Sequence, residues 1–237
     1  MGAGSGRTAE EEPVDGRPGI GPRLRGLRVG DEPAGWIEAG FTVTGCELDI
    51  GGVRISLVGG HRRGVLGWEL EGPSHDDHRP DGSTVDGIPT TLVAPGEVAE
   101  AAPGGSHPNG VVGVDHVVVA TGDLPRTLDH LAARGYRPRR TRDVPGSRPP
   151  RRQVFLWAGP VILEVVGPTR PDPAAGPASV WGLALVTADL EATAGRLGDR
   201  MSKPRDAVQP GRRIASIRTK LLDISVPLAL MSPHHPS

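Results

Sequence analysis

An internal repeat with a spacing of 66 residues limits what the C-terminal half of this chain can fold into. Residues 115–124 and residues 181–190 share one pattern, and the spacing of 66 relates Asp189 to Asp123. In both copies an apolar run typical of a strand leads into an aspartate that can cap a helix with leucines on one face. The repeat therefore predicts a strand followed by a helix, twice. Only the first copy carries a histidine, His116.

Each copy continues into further strands, so the repeated unit is predicted to be a β-α-β-β-β module. The first clear module covers residues 111–168, where Gly135 ends the helix and strands follow as far as the turn Gly167-Pro168. The second module covers residues 179–233 and closes at a comparable turn. Paired modules of this kind indicate the α+β fold class.

The N-terminal part is predicted to hold a third, degenerate β-α-β-β-β module over residues 23–73. Its helix would be residues 33–39, and its closing strand would be residues 65–70. Residues 1–22 are rich in Gly and Glu and are predicted to be a disordered segment. Residues 74–110 are too long for an ordinary loop, so we predict a linker or a functional lid there.

Composition bears on partners and location. The net charge of −1 leaves no basic footprint for nucleic acid. No stretch approaches the about 18 consecutive apolar residues of a membrane span, and the start of the chain has no apolar region typical of a signal peptide. The single cysteine, Cys46, excludes an internal disulfide framework and fits a reducing compartment. We therefore expect a cytoplasmic protein that binds neither nucleic acid nor membrane.

The first module also carries residues typical of one known superfamily. The pattern is a first strand with a histidine, a capped helix and a last strand with a glutamate, in Asp115-His116-Val117-Val118-Val119, Asp123-Leu124 and Val161-Ile162-Leu163-Glu164-Val165-Val166-Gly167-Pro168. It resembles the vicinal oxygen chelate superfamily, which includes glyoxalase I, extradiol dioxygenases, methylmalonyl-CoA epimerase, fosfomycin-modifying enzymes and bleomycin-resistance proteins. The resemblance covers residues 112–233 and extends to residues 24–73. It implies that the repeated modules curl into an open mixed-sheet bowl.

The same resemblance implies a divalent metal in the bowl, held by a first-strand histidine and a last-strand glutamate. His116 and Glu164 match this ligand pair, and Glu164 would also act as the catalytic base. Zn, Fe, Mn, Ni and Co all suit an imidazole facing a carboxylate. Independently of the resemblance, a lone carboxylate in the apolar run of residues 161–166 is costly to bury unless it is paired, protonated or bound to a metal.

The second module departs from this pattern because both expected ligands are absent. Gly182 stands where His116 stands, and Ala229 stands where Glu164 stands. Catalytic metals usually have three protein ligands, so a further group is needed if a metal binds. Glu69 is the candidate third ligand, because its spacing from the end of the N-terminal module matches that of Glu164. Further candidates from nearby loops are His61, His75 and His78.

Several polar and aromatic side chains are candidates for contact with a small molecule. They are Arg152, Gln153, Trp157, Trp181 and Arg213. The arginines could bind a carboxylate or phosphate, and the tryptophans could line an apolar pocket. The alternatives are edge-strand charge that faces water for the arginines and core packing for the tryptophans.

These observations leave functions of three classes open. The chain could be a metal-dependent lyase, isomerase or dioxygenase that acts on a small oxygen-bearing substrate. It could instead bind and sequester a small molecule without a metal, as the resemblance to bleomycin-resistance proteins implies, and the missing ligands favour this class. The third is a degenerate scaffold with a role in dimerisation, since bowls of this superfamily often form between the chains of a homodimer.

Overall fold

The computed structural model describes residues 22–72, 83–94 and 107–233, which form two open mixed sheets. The N-terminal sheet and its helix comprise β1 (Leu24–Val29), α1 (Pro33–Glu38), β2 (Glu47–Ile50), β3 (Val53–Leu57), β4 (Val65–Glu71), β5 (Thr84–Val85) and β6 (Ile88–Val93). The C-terminal sheet and its helices comprise β7 (Val111–Ala120), α2 (Leu124–Ala132), β8 (Pro138–Val144), β9 (Arg151–Ala158), β10 (Val161–Pro168), β11 (Ser179–Thr187), α3 (Leu190–Leu197), β12 (Arg205–Asp206), β13 (Arg213–Ser216) and β14 (Leu228–Met231).

The C-terminal sheet consists of two β-α-β-β-β modules joined along their first strands. Its strand order is β12-β13-β14-β11-β7-β10-β9-β8. Within each module the last strand runs parallel to the first, in the pairs β7–β10 and β11–β14. The two first strands, β7 and β11, run antiparallel to each other. The predicted α+β fold of repeated β-α-β-β-β modules in an open mixed-sheet bowl is confirmed.

The repeat that predicted these modules also repeats their local hydrogen bonds. Asp123 accepts a hydrogen bond from Arg126 N at 3.1 Å and caps α2, and Asp189 accepts one from Ala192 N at 3.0 Å and caps α3. A buried threonine of each helix then bonds to a threonine at the end of the preceding strand, at 2.8 Å in both modules, in the pairs Thr127–Thr121 and Thr193–Thr187. Each strand is thereby tied to its helix by the same pair of contacts.

The N-terminal sheet reproduces the pairing of the C-terminal sheet on a smaller scale. Its order, β2-β3-β1-β4-β6-β5, has the same sequence of parallel and antiparallel pairs as β9-β10-β7-β11-β14-β13. Strand β4 therefore differs from the closing strand predicted at residues 65–70. It runs antiparallel to β1, as β11 does to β7, and β3 is the parallel neighbour of β1.

The segment predicted as a linker or lid at residues 74–110 also differs in part. Strands β5 and β6 lie within it and complete the N-terminal sheet. They are joined by Asp86-Gly87, which both have positive φ, as a two-residue hairpin turn requires. Between α1 and β2 the chain forms one isolated bridge, Thr44 to Glu47. The predicted disordered segment lies outside the described residues, except for Pro22.

Polar contacts join the two halves of the molecule. The fully buried Asp31, beside α1, accepts hydrogen bonds from Ser225 N at 3.1 Å and from Trp36 Nε1 at 3.1 Å. Just before β7, the ring of His107 accepts a bond from Thr42 N at 3.1 Å and contacts the carbonyl oxygen of Asp49 at 2.9 Å. These contacts fix the N-terminal sheet against the C-terminal module pair.

In the described parts of the chain, no helix has both the length and the apolar character that crossing a membrane requires.

Candidate functional site

The C-terminal sheet has one covered face and one open face. Helix α2 packs on the covered face, where strand residues such as Val119 and Leu163 are fully buried. Half-buried and buried residues alternate along β9, as expected for side chains that point to opposite faces in turn. The half-buried set and the buried Glu164, which shares its face, define the open face. Its members on β7, β10 and β9 are His116, Val118, Ala120, Ile162, Glu164, Val166, Gln153, Phe155 and Trp157.

His116 and Glu164 meet at the centre of the open face. Strands β7 and β10 pair in parallel, with Ile162 opposite His116 and Val118 opposite Glu164. This register places the two polar side chains on neighbouring strands, one step apart along the sheet. The Nε2 atom of His116 lies 3.3 Å from Oε2 of Glu164. Glu164 is only 8% exposed, so its carboxylate depends on protein partners or a ligand.

A bulge in β7 brings a further carboxylate to the same place. The pairing with β11 passes from His116 opposite Ala184 to Val114 opposite Leu185, so Asp115 is an extra residue on its strand. A bulge of this kind turns two consecutive side chains towards one face. The carboxylate Oδ2 of Asp115 lies 2.9 Å from Nδ1 of His116. Asp115 was not predicted as a site residue, since regular alternation places it on the opposite face from His116.

Arg212 holds Asp115 from the other side. The guanidinium Nη2 lies 2.8 Å from Asp115 Oδ1, and Nε donates to the carbonyl oxygen of Ser232 at 3.0 Å. Arg212 is only 3% exposed. Burial alone would raise the pKa of the Asp115 carboxyl, but the hydrogen bonds from His116 and Arg212 outweigh it and lower the pKa to about 2. Because the ionised carboxylate can only accept, Nδ1 of His116 carries a proton.

Gln153 and Arg142 extend this set of contacts towards the edge of the sheet. The amide nitrogen of Gln153 donates to Oε1 of Glu164 in a very short contact. The amide oxygen of Gln153 accepts from Nε and Nη2 of Arg142, at 3.0 and 2.6 Å. A continuous series of polar contacts therefore crosses the sheet, in the order Arg212, Asp115, His116, Glu164, Gln153 and Arg142.

Two of the predicted ligand contacts lie elsewhere. Arg152 pairs with the exposed Asp143 at 2.7 Å, because residues next to each other on a strand face opposite sides and Gln153 occupies the open face. Arg213 pairs with Glu191 of α3 and donates to the carbonyl oxygen of Pro204 at 2.9 Å. The residue before it, Arg212, is the one that reaches the site. The sequence thus indicated the right segments, but Gln153 and Arg212 reach the open face in place of Arg152 and Arg213.

Aromatic side chains line part of the open face. Phe155 and Trp157 are half-buried on β9, opposite Glu164 and Ile162. Trp181 is an extra residue on β11, where the pairing with β7 passes from Val180 to Gly182, and it is 60% exposed. Large exposed apolar side chains beside a polar centre are typical of small-molecule sites.

Glu69 lies in the other sheet. It is on β4, opposite Gly26 of β1 and Thr91 of β6, so it corresponds in register to Ala184 of β11. Its carboxylate lies above the backbone of Gly26, where an added Cβ would be 2.8 Å from Oε2. Of the three histidines proposed from loops, His61 is exposed, and His75 and His78 lie outside the described residues.

Comparison of the whole chain with solved structures identifies the architecture. One such structure is a mutant of 4-hydroxymandelate synthase from Streptomyces coelicolor, which superposes with a TM-score of 0.62 at 13% identity. The match covers 91% of this chain and 93% of that one. Homoprotocatechuate 2,3-dioxygenase from Brevibacterium fuscum, solved as a variant, superposes with a TM-score of 0.57 at 12% identity, covering 95% and 75%. The fold is that of the vicinal oxygen chelate superfamily. No family model matches the sequence, and no curated protein is significantly similar to it.

The packing of β11 gives a physical reason why the second module has Gly182, and no histidine, at the position of His116. An added Cβ at Gly182 would lie 2.9 Å from the carbonyl oxygen of Pro227, which is closer than real Cβ contacts. The backbone of the neighbouring strand thus excludes any side chain there. Gly67 in β4 has the same relation to Pro89, at 2.8 Å, which supports the correspondence between the two sheets.

The site can be tested for its fit to a metal. In residues 22–72, 83–94 and 107–233, no three His, Cys, Asp or Glu side chains are grouped so that they could hold a metal ion. Asp115 and Glu164 contact opposite nitrogens of the His116 ring, so the two carboxylates flank the imidazole and do not converge on one point. The described residues therefore offer a two-residue ligand set at most, His116 and Glu164.

Proposed function

We propose that the open face of the C-terminal sheet binds a small organic molecule without a metal, with His116 and Glu164 as its central polar contacts. The observation that carries this proposal is the closed set of protein contacts around this pair. Asp115 faces Nδ1 of His116, Gln153 faces Oε1 of Glu164, and the remaining nitrogen and oxygen face each other. With one proton between Nε2 and Oε2, all of these buried polar groups have hydrogen-bond partners and need no ion to offset their burial.

The surroundings of the pair support a ligand of mixed character. Apolar side chains flank it on both sides, with Val118 and Ile162 on the central strands and Phe155 and Trp157 on β9. A ligand with an apolar body and a few hydrogen-bonding atoms fits such a surface.

The central pair also has a defined chemical capability. Asp115 holds the Nδ1 proton of His116, so Nε2 is the nitrogen that faces Glu164 and the ligand. With one proton on the pair, a ligand hydroxyl between Nε2 and the Glu164 carboxylate would accept a hydrogen bond from one of them and donate one to the other, in place of their 3.3 Å contact. The pair can then accept or return a proton at that atom, which is the requirement for general acid–base chemistry.

Ligand-dependent thermal stability tests this proposal. A panel of small aromatic and aliphatic acids, alcohols and amides is screened for a rise in Tm, with and without a chelator. We expect at least one compound to raise the Tm equally in both conditions. The rise should disappear in His116→Ala and in Glu164→Gln and persist in His61→Ala, a control histidine that is exposed. A rise that requires added metal would refute the metal-free site.

One observation favours a second candidate, a metal-dependent enzyme. With metal–ligand distances of about 2.0 to 2.1 Å, two ligands of a tetrahedral site are separated by about 3.3 Å, the distance between Nε2 of His116 and Oε2 of Glu164. Asp115 on the other ring nitrogen matches the outer partner that metal-bound histidines usually have. A metal held by His116 and Glu164 would polarise an oxygen of the substrate.

Elemental analysis separates the two candidates. If this second candidate holds, the purified protein contains stoichiometric divalent metal that is lost in His116→Ala and in Glu164→Gln. If the first holds, the wild type and both variants contain only trace metal after reconstitution and dialysis. His61→Ala again serves as the matched control.

A further inference from the structure

The edge of the open face contains a cation that the central contacts do not neutralise. Arg142 lies on β8 opposite Gln153, whose side chain is on the open face. Cross-strand partners share a face, so the Arg142 side chain lies on the ligand side of the sheet. It is half-buried, and both of its bonds go to the neutral amide oxygen of Gln153.

Three other half-buried or buried arginines of this protein have a carboxylate partner. Arg25 pairs with Glu71, Arg126 pairs with Asp86, and Arg212 pairs with Asp115. Among the residues that the structure describes, no carboxylate lies within ion-pair distance of Arg142. Partial burial of a guanidinium without a counter-ion is unfavourable, and an incoming anion would offset that cost.

The geometry of the bonds to Gln153 leaves one edge of the guanidinium available. Nε and Nη2 point to the amide oxygen, so the outer edge, formed by Nη1 and Nη2, is directed away from Gln153. Two N–H groups on one edge of a guanidinium match the two oxygens of a carboxylate or a phosphate. Gln153 fixes the orientation of this edge, because its own amide nitrogen is held by Glu164.

We propose that the ligand of the open face carries an anionic group, a carboxylate or a phosphate, that binds the outer edge of Arg142. This inference rests on the proposed function of the open face. Strand β8 is two strands from β10, so the anionic group lies within about 10 Å of the strand that carries Glu164. The apolar body of the ligand then lies over Phe155 and Val166, which flank Gln153 and Glu164 on the same face.

Binding of matched acids and amides tests this inference. Phenylacetate, phenylacetamide and phenyl phosphate are titrated into the full chain, and affinity is measured by calorimetry. We expect the wild type to prefer at least one of the two anions to the amide by about tenfold or more, the value of one charge-assisted hydrogen bond. A phosphate preference assigns the group as phosphate, and a phenylacetate preference assigns it as carboxylate.

Variants of the two arginines on this hairpin supply the controls. Arg142→Gln should abolish the preference for the anion, and Arg142→Lys should keep part of it, because the charge remains while the fork is lost. Arg152→Gln changes a neighbouring arginine on the covered side and should leave the preference intact. If the Arg142→Gln variant does not fold, the Arg142→Lys variant and the wild-type ratio of acid affinity to amide affinity still test the role of Arg142.

The outcomes distinguish this inference from the proposed function. Equal affinity for the acids and the amide, with binding abolished in Glu164→Gln, overturns the role of Arg142 and leaves the proposed function standing. An anion preference that survives in Arg142→Gln likewise overturns it. If the wild type binds none of the three compounds while the Tm screen finds a ligand that needs His116 and Glu164, the role of Arg142 is overturned and the proposed function stands.

Discussion

At the scale of single residues, one extra residue in β7 determines which side chains contact His116. Strand alternation and the resemblance to a known superfamily were sufficient to predict that the side chains of His116 and Glu164 lie together on one face of the sheet. Asp115 and Arg212 were not predictable in the same way. Bulges arise from the pairing of two strands, so the local sequence of β7 does not reveal that Asp115 turns to the open face.

The ion pair between Asp115 and Arg212 predicts a large effect of a conservative substitution. Asp115→Asn should lower the free energy of unfolding by about 3 kcal/mol, because it removes the carboxylate charge that pairs with the buried guanidinium of Arg212. Denaturant unfolding measures this value. Asp143→Asn breaks an exposed arginine–carboxylate pair and should change it by less than about 1 kcal/mol. Similar losses in the two variants would contradict a structural role for the buried pair.

The low pKa of Asp115 also predicts how acid affects stability. The carboxyl has a pKa of about 2 in the folded state and an ordinary value of 3.8, so its ionised form stabilises the fold above the ordinary pKa. That stabilisation is lost as the pH falls from about 4 towards about 2. The difference in unfolding free energy between the wild type and Asp115→Asn should therefore shrink across this interval. A difference independent of pH there would contradict the assignment.

At the scale of elements, helices and their caps were the most predictable features. Asp123 and Asp189 cap α2 and α3 as the sequence indicates, because a cap depends on residues close in the chain. Strand β4 was assigned to the wrong position in its sheet because the direction of pairing depends on distant residues. The hairpin of β5 and β6 has a local signal, Asp86-Gly87, which the surrounding Gly- and Pro-rich composition obscured.

The turn between β5 and β6 predicts a position-specific cost of adding one methyl group. Gly87 has a φ of +83°, and an added Cβ would lie 2.2 Å from Cβ of Pro177. Gly87→Ala should therefore lower the free energy of unfolding by about 1 to 3 kcal/mol. Gly176→Ala is the matched control, since an added Cβ there meets no atom within 4 Å. Equal unfolding midpoints for the two variants would rule out this account of the turn.

At the scale of the whole molecule, the sequence predicted an N-terminal module but not a second sheet with the pairing pattern of the first. The two sheets have corresponding orders, and Gly67 and Gly182 face the neighbouring backbone in the same way. This relation was not predicted, because few residues are identical at corresponding positions of the two sheets. The contacts that join the halves, such as Asp31 with Ser225, link residues far apart in the chain and have no local signal.

One contact between the halves predicts a dependence of stability on pH. Burial lowers the pKa of His107, against the opposing effect of its bond to the Asp49 carbonyl. The neutral ring stabilises the fold above about pH 6.5, and this contribution is lost as the pH falls towards the lowered folded pKa. His107→Gln keeps a donor and an acceptor without titrating. Its unfolding free energy should fall less than that of the wild type between about pH 7 and about pH 5.

The exposed His61 provides the control for that measurement. His61→Gln should retain the pH dependence of the wild type, because the ring is in contact with solvent. If His107→Gln and His61→Gln have the same slope as the wild type, His107 is not the source of the effect.

The close approach of Gly182 to the carbonyl of Pro227 has a consequence for the mutational history open to this protein. A substitution at position 182 alone places an imidazole there only if the backbone around Pro227 moves. An evolutionary or laboratory route to a two-histidine centre therefore needs compensating changes around Pro227 as well.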